Sequence, residues 1–135
     1  MLITLPGEPR TKKNSGRIVM AGGKPMLLPS KQYKEYREVC LWRIPAWQKA
    51  RIAEPVNVCC VYYMKTKRKV DLCNLLEATC DILVDAGVLA DDNSSIVVSH
   101  DGSRVLLDRD NPHAEITITR LNQCAEHHSA AQKST

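Results

Sequence analysis

The sequence predicts an α+β fold: a single domain with a mixed β-sheet, a long amphipathic helix behind the central strand, and a hairpin at each end. Three observations lead there. The chain has 135 residues, which is enough for one hydrophobic core and too few for two. Two segments, Lys31–Ile44 and Leu72–Ala86, repeat apolar residues at three- and four-residue steps, the period of a helix. Around them lie short runs of alternating or β-branched residues bounded by Gly and Pro, the signature of strands.

Taken in order, Leu2–Leu5 is apolar and β-branched, and Pro6-Gly7 ends it as a short strand. Residues 8–16 form a polar, basic loop. Arg17–Met20 and Pro25–Leu28 flank Ala-Gly-Gly-Lys, so a hairpin is expected with Gly22 and Gly23 in its turn. Ser30 suits an N-cap, and Tyr33, Tyr36, Cys40 and Ile44 mark the buried stripe of the first helix. Pro45 should interrupt it. The aromatics of this region, Trp47 among them, are expected in the core. Pro55–Met64 is apolar on much of both faces and reads as a central strand buried on two sides. Asp71 is a good N-cap for Leu72–Ala86, with Gly87 at the C-terminal cap. Beyond it, Ile96–Ser99 is a short strand. Arg104–Leu107 and Ala114–Leu121 are expected to pair as a second hairpin. Residues 1–121 are therefore read as the domain, and 122–135, polar and small, as a disordered tail.

The net charge is +4, and its distribution is uneven. Residues 1–71 carry fifteen Lys/Arg and five Asp/Glu, or +10; residues 72–135 carry four and ten, or −6. A basic half joined to an acidic half points to an anionic partner and to a carboxylate site for a cation; a solvated, chance distribution is the alternative. No apolar run approaches the roughly 18–20 residues of a membrane span. The start MLITLPGEPR lacks the pattern of a secretory signal. A soluble, cytoplasmic protein is expected, without a membrane partner. The six cysteines show no metal-binding spacing and are read as reduced thiols filling the core.

At about 100° per residue, Leu72, Leu75, Leu76, Thr79, Ile82 and Leu83 fall on one side of the second helix. Asn74, Glu77, Ala78, Asp81 and Asp85 fall on the other, with Asp71 at its head. Glu77 and Asp81, four apart, repel by about 0.2–0.5 kcal/mol, which a solvated face tolerates. Two features argue for more. Lys65, Lys67, Arg68 and Lys69 stand immediately before the helix, and Asp91-Asp92 follows it after a short loop. Carboxylates from two elements beside cations suit a magnesium-dependent phosphodiesterase, because Mg²⁺ prefers oxygen ligands and binds through a few carboxylates plus phosphate oxygens.

The run from Lys69 through Asp71, Cys73, Asn74, Glu77, Asp81 and Gly87 to Asp91-Asp92 resembles the signature of the RusA family of Holliday junction resolvases. That signature is a basic stretch, D-x-D-N-L, a Lys three positions after the Asn, a helical Asp-x-Leu, a Gly and a D-D pair. The resemblance is strongest from Lys65 to Ile96 and extends more weakly over residues 1–121. It implies a small homodimeric α/β enzyme that cuts four-way DNA junctions using Mg²⁺ or Mn²⁺. It places the family's metal carboxylates on Asp71, Cys73 and Asp92, and its site lysine on Glu77.

Two positions depart from the pattern. Cys73 replaces an aspartate, and a thiol is a poor ligand for a hard cation; Glu77 replaces a lysine. One reading is an inactive homologue that binds junctions without cutting them. The other is a compensated exchange, in which Asp71, Glu77 and Asp92 hold the metal with Asp91 beside them. Asp81 then supports the site, and Lys69 or Lys67 supplies the lost cation. Arg10, Lys12, Lys13, Arg17, Lys65, Lys67 and Arg68 are assigned to DNA phosphates. His100, Asp101 and Arg104 either line the site or belong to a turn built around Gly102.

Overall fold

The structure, a computed structural model, describes residues 1–12, 17–28 and 30–121. In chain order the elements are β1 (Leu2–Pro6), β2 (Arg17–Ala21), β3 (Lys24–Leu28), α1 (Lys31–Arg43), a 3₁₀ turn (Ala46–Gln48), β4 (Val56–Met64), α2 (Leu72–Asp85), β5 (Val97–Ser99), β6 (Arg104–Leu107) and β7 (His113–Arg120). The mixed α+β architecture expected from the sequence is present. The tail at 122–135 lies outside the described residues, as do Lys13 and Cys124.

β2 and β3 form their own two-stranded antiparallel sheet, joined at Gly22 and Gly23. Both glycines have positive φ, 59° and 79°, the left-handed pair that a tight hairpin turn requires. The main sheet runs β1-β7-β4-β5, with β6 also on β4. β4 is its centre. β7 pairs antiparallel along one edge, from Val56 opposite Arg120 to Tyr63 opposite His113. β5 and β6 lie one after the other along the opposite edge, both parallel to β4.

This corrects the expected second hairpin: β6 and β7 do not pair with each other but flank β4. α2 supplies the crossover that parallel pairing needs, which brings β5 and β6 to the open edge. The loop after β6 then carries the chain past the end of β4, tied there by the Asp108 N–H to the Met64 carbonyl at 2.9 Å. The Asp108 carboxylate accepts the N–H groups of Asp110 and Asn111 at 3.2 and 3.1 Å. That loop is long enough to reach the far edge, where β7 pairs with both β4 and β1.

Val56, Val58, Cys60, Tyr62 and Met64 of β4 are all buried, and they join Ile3, Leu5, Ile116 and Ile118 of the neighbouring strands in the core. Leu75, Ile82 and Leu83 of α2 and Tyr33, Tyr36 and Cys40 of α1 cover that face. The reverse face of β4 is only half-buried, so β4 is not enclosed on both sides as its apolar sequence suggested. Both helices lie on one face of the sheet; on the other, Tyr63 stacks on His113 with ring centroids 4.4 Å apart.

α1 begins as expected, with the Ser30 hydroxyl accepting the Tyr33 N–H at 3.1 Å. Trp42 and Trp47 do not enter the core: they are 85% and 77% exposed. Tyr33, Tyr36 and Cys40 make the buried stripe of that helix; Trp42 falls off it, and Trp47 lies beyond the helix in the 3₁₀ turn. The cysteines also divide. Cys40, Cys60 and Cys80 are buried, Cys59 is half-buried, and Cys73 is exposed at the start of α2. Burial holds the Cys40, Cys60 and Cys80 thiols at about 11, about 12 and about 11.

α2 is held at both ends. The Asp71 carboxylate accepts the Asn74 N–H at 3.2 Å. At the other end Gly87, with φ 81°, donates to Val84 at 3.0 Å and Val88 donates to Leu83 at 2.9 Å, the two bonds of a Schellman cap. In between, Thr79 donates to the Leu75 carbonyl and shares a 2.7 Å hydrogen bond with the Tyr62 phenol. Ala78, on the side read as polar, is buried at 1% exposure: α1 packs against α2, so part of that side is an interhelical contact rather than a solvated face.

Candidate active site

The Schellman cap decides where Asp92 goes. It turns the chain out of α2 and lays it beside the segment before β4: Ile52 bridges Leu89, and the Ala90 N–H reaches the Ile52 carbonyl at 2.9 Å. The acidic pair then comes back across the polar side of α2. The two aspartates do different things there. The Asp91 carboxylate accepts the Asp92 N–H at 2.7 Å and the Asn93 amide at 3.1 Å. Those two hydrogen bonds, the Asp92 N–H first, hold Asp91 below the usual carboxylate range. Asp91 therefore builds the turn, while Asp92 enters the site.

Asp92 lines two clefts at once. One, of about 380 Å³, is walled by Cys73, Leu76, Glu77 and Cys80 of α2, with Ser94, Val97 and His100 opposite. The other, of about 580 Å³, lies between the helices: Tyr33, Lys34, Arg37 and Glu38 come from α1, Asp81, Val84 and Asp85 from α2, and Lys12 from the loop after β1. Asp92 stands on the ridge between them. After burial, its charge is the next cause of the raised Cys80 thiol, which places it against the middle of α2.

The sequence-derived site residues separate accordingly. Glu77, Asp81 and Asp92 are brought to adjoining clefts. Asp71 lines neither cleft and acts as the cap of α2. Asp91 is turned into its own loop. Lys69 is exposed and also lines neither cleft. His100 lines the smaller cleft, with Nδ1 2.8 Å from the Val58 carbonyl. Asp101 sits in the turn, where its N–H donates to the Asn57 side chain at 2.8 Å, and Arg104 begins β6 on the edge of the sheet. Among the described residues, no three His, Cys, Asp or Glu side chains converge to hold a metal ion. The residues as placed are therefore not a closed ligand cage.

The cations divide as well. Lys65, Lys67, Arg68 and Lys69 are exposed and form no ion pair among the described residues. Arg10 and Arg68 share a groove with Glu8, Thr11, Ser30 and Gln32; Arg10 is 3.4 Å from Glu8, and the second Glu8 oxygen accepts the Lys65 N–H at 2.9 Å. This joins the N-terminal loop to the basic run before α2. Arg17 opens β2. Lys12 lies elsewhere, ion-paired with Asp81. Sequence reasoning missed Lys34 and Arg37, whose three-residue spacing on the polar side of α1 was the available signal.

Carboxylates along one helix and its following turn, with exposed cations on the strand-to-helix run beside them, make a site suited to phosphodiester chemistry on a polyanion. The family model Endodeoxyribonuclease RusA matches residues 6–119. The chain belongs to that family of Holliday junction resolvases, which are endodeoxyribonucleases. A comparison with curated proteins found no match. No helix of the described residues is long and apolar enough to cross a membrane.

Proposed function

We propose that this protein hydrolyses phosphodiester bonds in four-way branched DNA, with a divalent metal and as a homodimer, in DNA recombination and repair. Family membership supports the nuclease class. The observation that carries the site is the placement of Asp92 against α2, in one cleft with Glu77 and in the next with Asp81. The exposed run Lys65–Lys69 and the Arg10–Arg68 groove supply the phosphate contacts, which fix the position of a duplex without reading its sequence.

Mg²⁺, or Mn²⁺ in its place, belongs to this reading although the side chains form no closed cage. Magnesium keeps several waters and binds through one or two carboxylates plus substrate phosphates, and Glu77 and Asp92 are two carboxylates on one cleft. Cys73 lines the same cleft and contributes no hard ligand. Glu77, one helical turn on, offers a carboxylate at that wall. A junction has two-fold symmetry, and resolving it requires two cuts, which a symmetric dimer supplies.

The test is cleavage of a synthetic four-way junction by the wild type and by Glu77→Gln. The proposal expects Mg²⁺-dependent cutting by the wild type and a loss on the order of 100-fold in the variant. A variant that cuts as fast as the wild type removes Glu77 from the site. A wild type that binds the junction tightly and never cuts it is a junction-binding protein instead.

A further inference from the structure

We propose that Lys12 is a catalytic residue of this site, its ammonium contacting the scissile phosphodiester, and that Asp81 is the residue that positions it; the inference rests on the nuclease reading above. The observations are geometric. Lys12 follows β1, far from α2 in sequence, yet its Nζ is ion-paired with Asp81, one turn beyond Glu77 on the same helix. Both side chains line the interhelical cleft into which Asp92 also faces. The cations that sequence reasoning put forward, Lys67 and Lys69, line neither cleft.

The other cations of that cleft are placed differently. Arg37 is committed to Asp85, with Nη2 at 2.7 Å and Nε at 3.3 Å. Lys34 forms no ion pair among the described residues, so no described carboxylate holds its ammonium. Lys12 is the cation that a carboxylate of the site holds in place, and a lysine ammonium has three donors, so the bond to Asp81 leaves two for phosphate oxygens. Tyr33 adds an independent sign that the cleft takes a polar ligand. It is 3% exposed, and its phenol oxygen is buried without a hydrogen-bond partner among the described residues. After burial, the charges of Arg37 and Asp85, both on the cleft wall, act on it most.

In the reaction, water adds to phosphorus, the bond from phosphorus to the leaving sugar oxygen breaks, and the proton lost by the water ends on that oxygen. Lys12 takes no part in that proton transfer. Its role is to stabilise the negative charge that builds on the phosphoryl oxygens, where a preorganised donor has most effect. The pair with Asp81 is partly exposed, at 36% and 28% for the two side chains. Such pairs add little to stability, so the variants below should fold, which circular dichroism checks.

The test separates contact from catalysis. Single-turnover cleavage and junction affinity are measured together for Lys12→Ala, Lys12→Arg, Asp81→Asn and Asp81→Glu. Lys31→Ala, a surface lysine paired with Glu35, is the control. Lys12→Ala should slow cleavage at saturating protein by on the order of 100- to 1000-fold, with Kd changed by less than about 3-fold. Lys12→Arg should restore part of the rate. Asp81→Asn should slow it about 10-fold and Asp81→Glu should restore it, which a merely structural role would not require. A Lys12→Ala protein that cuts at the wild-type rate, or one that loses only affinity, overturns the proposal.

A second measurement stands apart from activity. Amine acylation of the wild type is mapped with and without junction DNA. Protection of Lys12 together with Lys65, Lys67 and Lys69 supports the contact; protection of those three with Lys12 still reactive overturns it. A wild type that cuts nothing defeats the nuclease reading and the catalytic role together, whereas a wild type that cuts while Lys12 stays reactive on DNA overturns the Lys12 contact alone.

Discussion

Gly102→Ala tests how the sheet edge sets the site. Gly102 lies in the turn that lets β5 and β6 follow one another along β4, and it has φ 89°. A Cβ there forces an L-residue into the left-handed region, at about 1–2 kcal/mol. It would also sit 3.0 Å from the Cys59 Sγ, tighter than van der Waals contact, and 4.0 Å from the Cys59 Cβ. The sulfur is the end of a half-buried side chain and can turn away, so this contact adds about 1 kcal/mol. The total is about 2–3 kcal/mol. Cys59→Ala removes the sulfur and leaves an ordinary contact, so the double variant should keep only the backbone strain. Equilibrium urea unfolding of the two single variants and the double variant gives a coupling of about 1 kcal/mol in favour of the pair. A Gly102→Ala protein as stable as the wild type, or a coupling of zero, refutes the reasoning.

Other expectations follow from the same structure. Asp92→Asn should slow junction cleavage on the order of 100-fold, whereas Asp91→Asn, which keeps an acceptor for the turn, should slow it far less; single-turnover rates decide. Removing the lysines of the 65–69 run one at a time should lower the slope of log K against log salt by about 0.9 each, read from binding titrations at several salt concentrations. In native protein at pH 8 iodoacetamide should label Cys73 and spare Cys40, Cys60 and Cys80, whose thiols are buried and protonated at that pH; peptide mass mapping reads the pattern. Asp91 titrates below its unfolded value, so it contributes stability above that value and loses it as the pH falls through the folded one. A carboxyl NMR titration should place Asp91 below the ordinary aspartate value; an ordinary or raised value refutes the turn's hydrogen bonds as its cause.

Much of this was legible in the residues because local rules dominate there. Ser30, Asp71 and Gly87 act as caps by side-chain chemistry and backbone freedom that need no tertiary partner. The period of two in β4 and the three- and four-residue steps of α1 name the buried faces directly. The edges were not legible. Whether β6 pairs with β7 or with β4 depends on which edge of β4 the crossover reaches, a non-local choice that strand propensity does not encode. The apolar second face of β4 looked enclosed because Val61 and Tyr63 are tolerated on a half-covered surface. The site divided in the same way. The carboxylates of α2 could be placed from the helical period, but the different roles of Asp91 and Asp92 depend on hydrogen bonds within one turn. The partnership of Lys12 with Asp81 joins the first strand's loop to the second helix, and no spacing in the sequence announces it.

The most direct test of the account is incubation of the wild-type protein with a synthetic four-way junction and with linear duplex of the same sequence, in Mg²⁺, in Mn²⁺ and in EDTA. Cuts are expected in the junction with either metal and none in EDTA, with the linear duplex left intact. An uncut junction in every condition, or a linear duplex cut as readily as the junction, would contradict it.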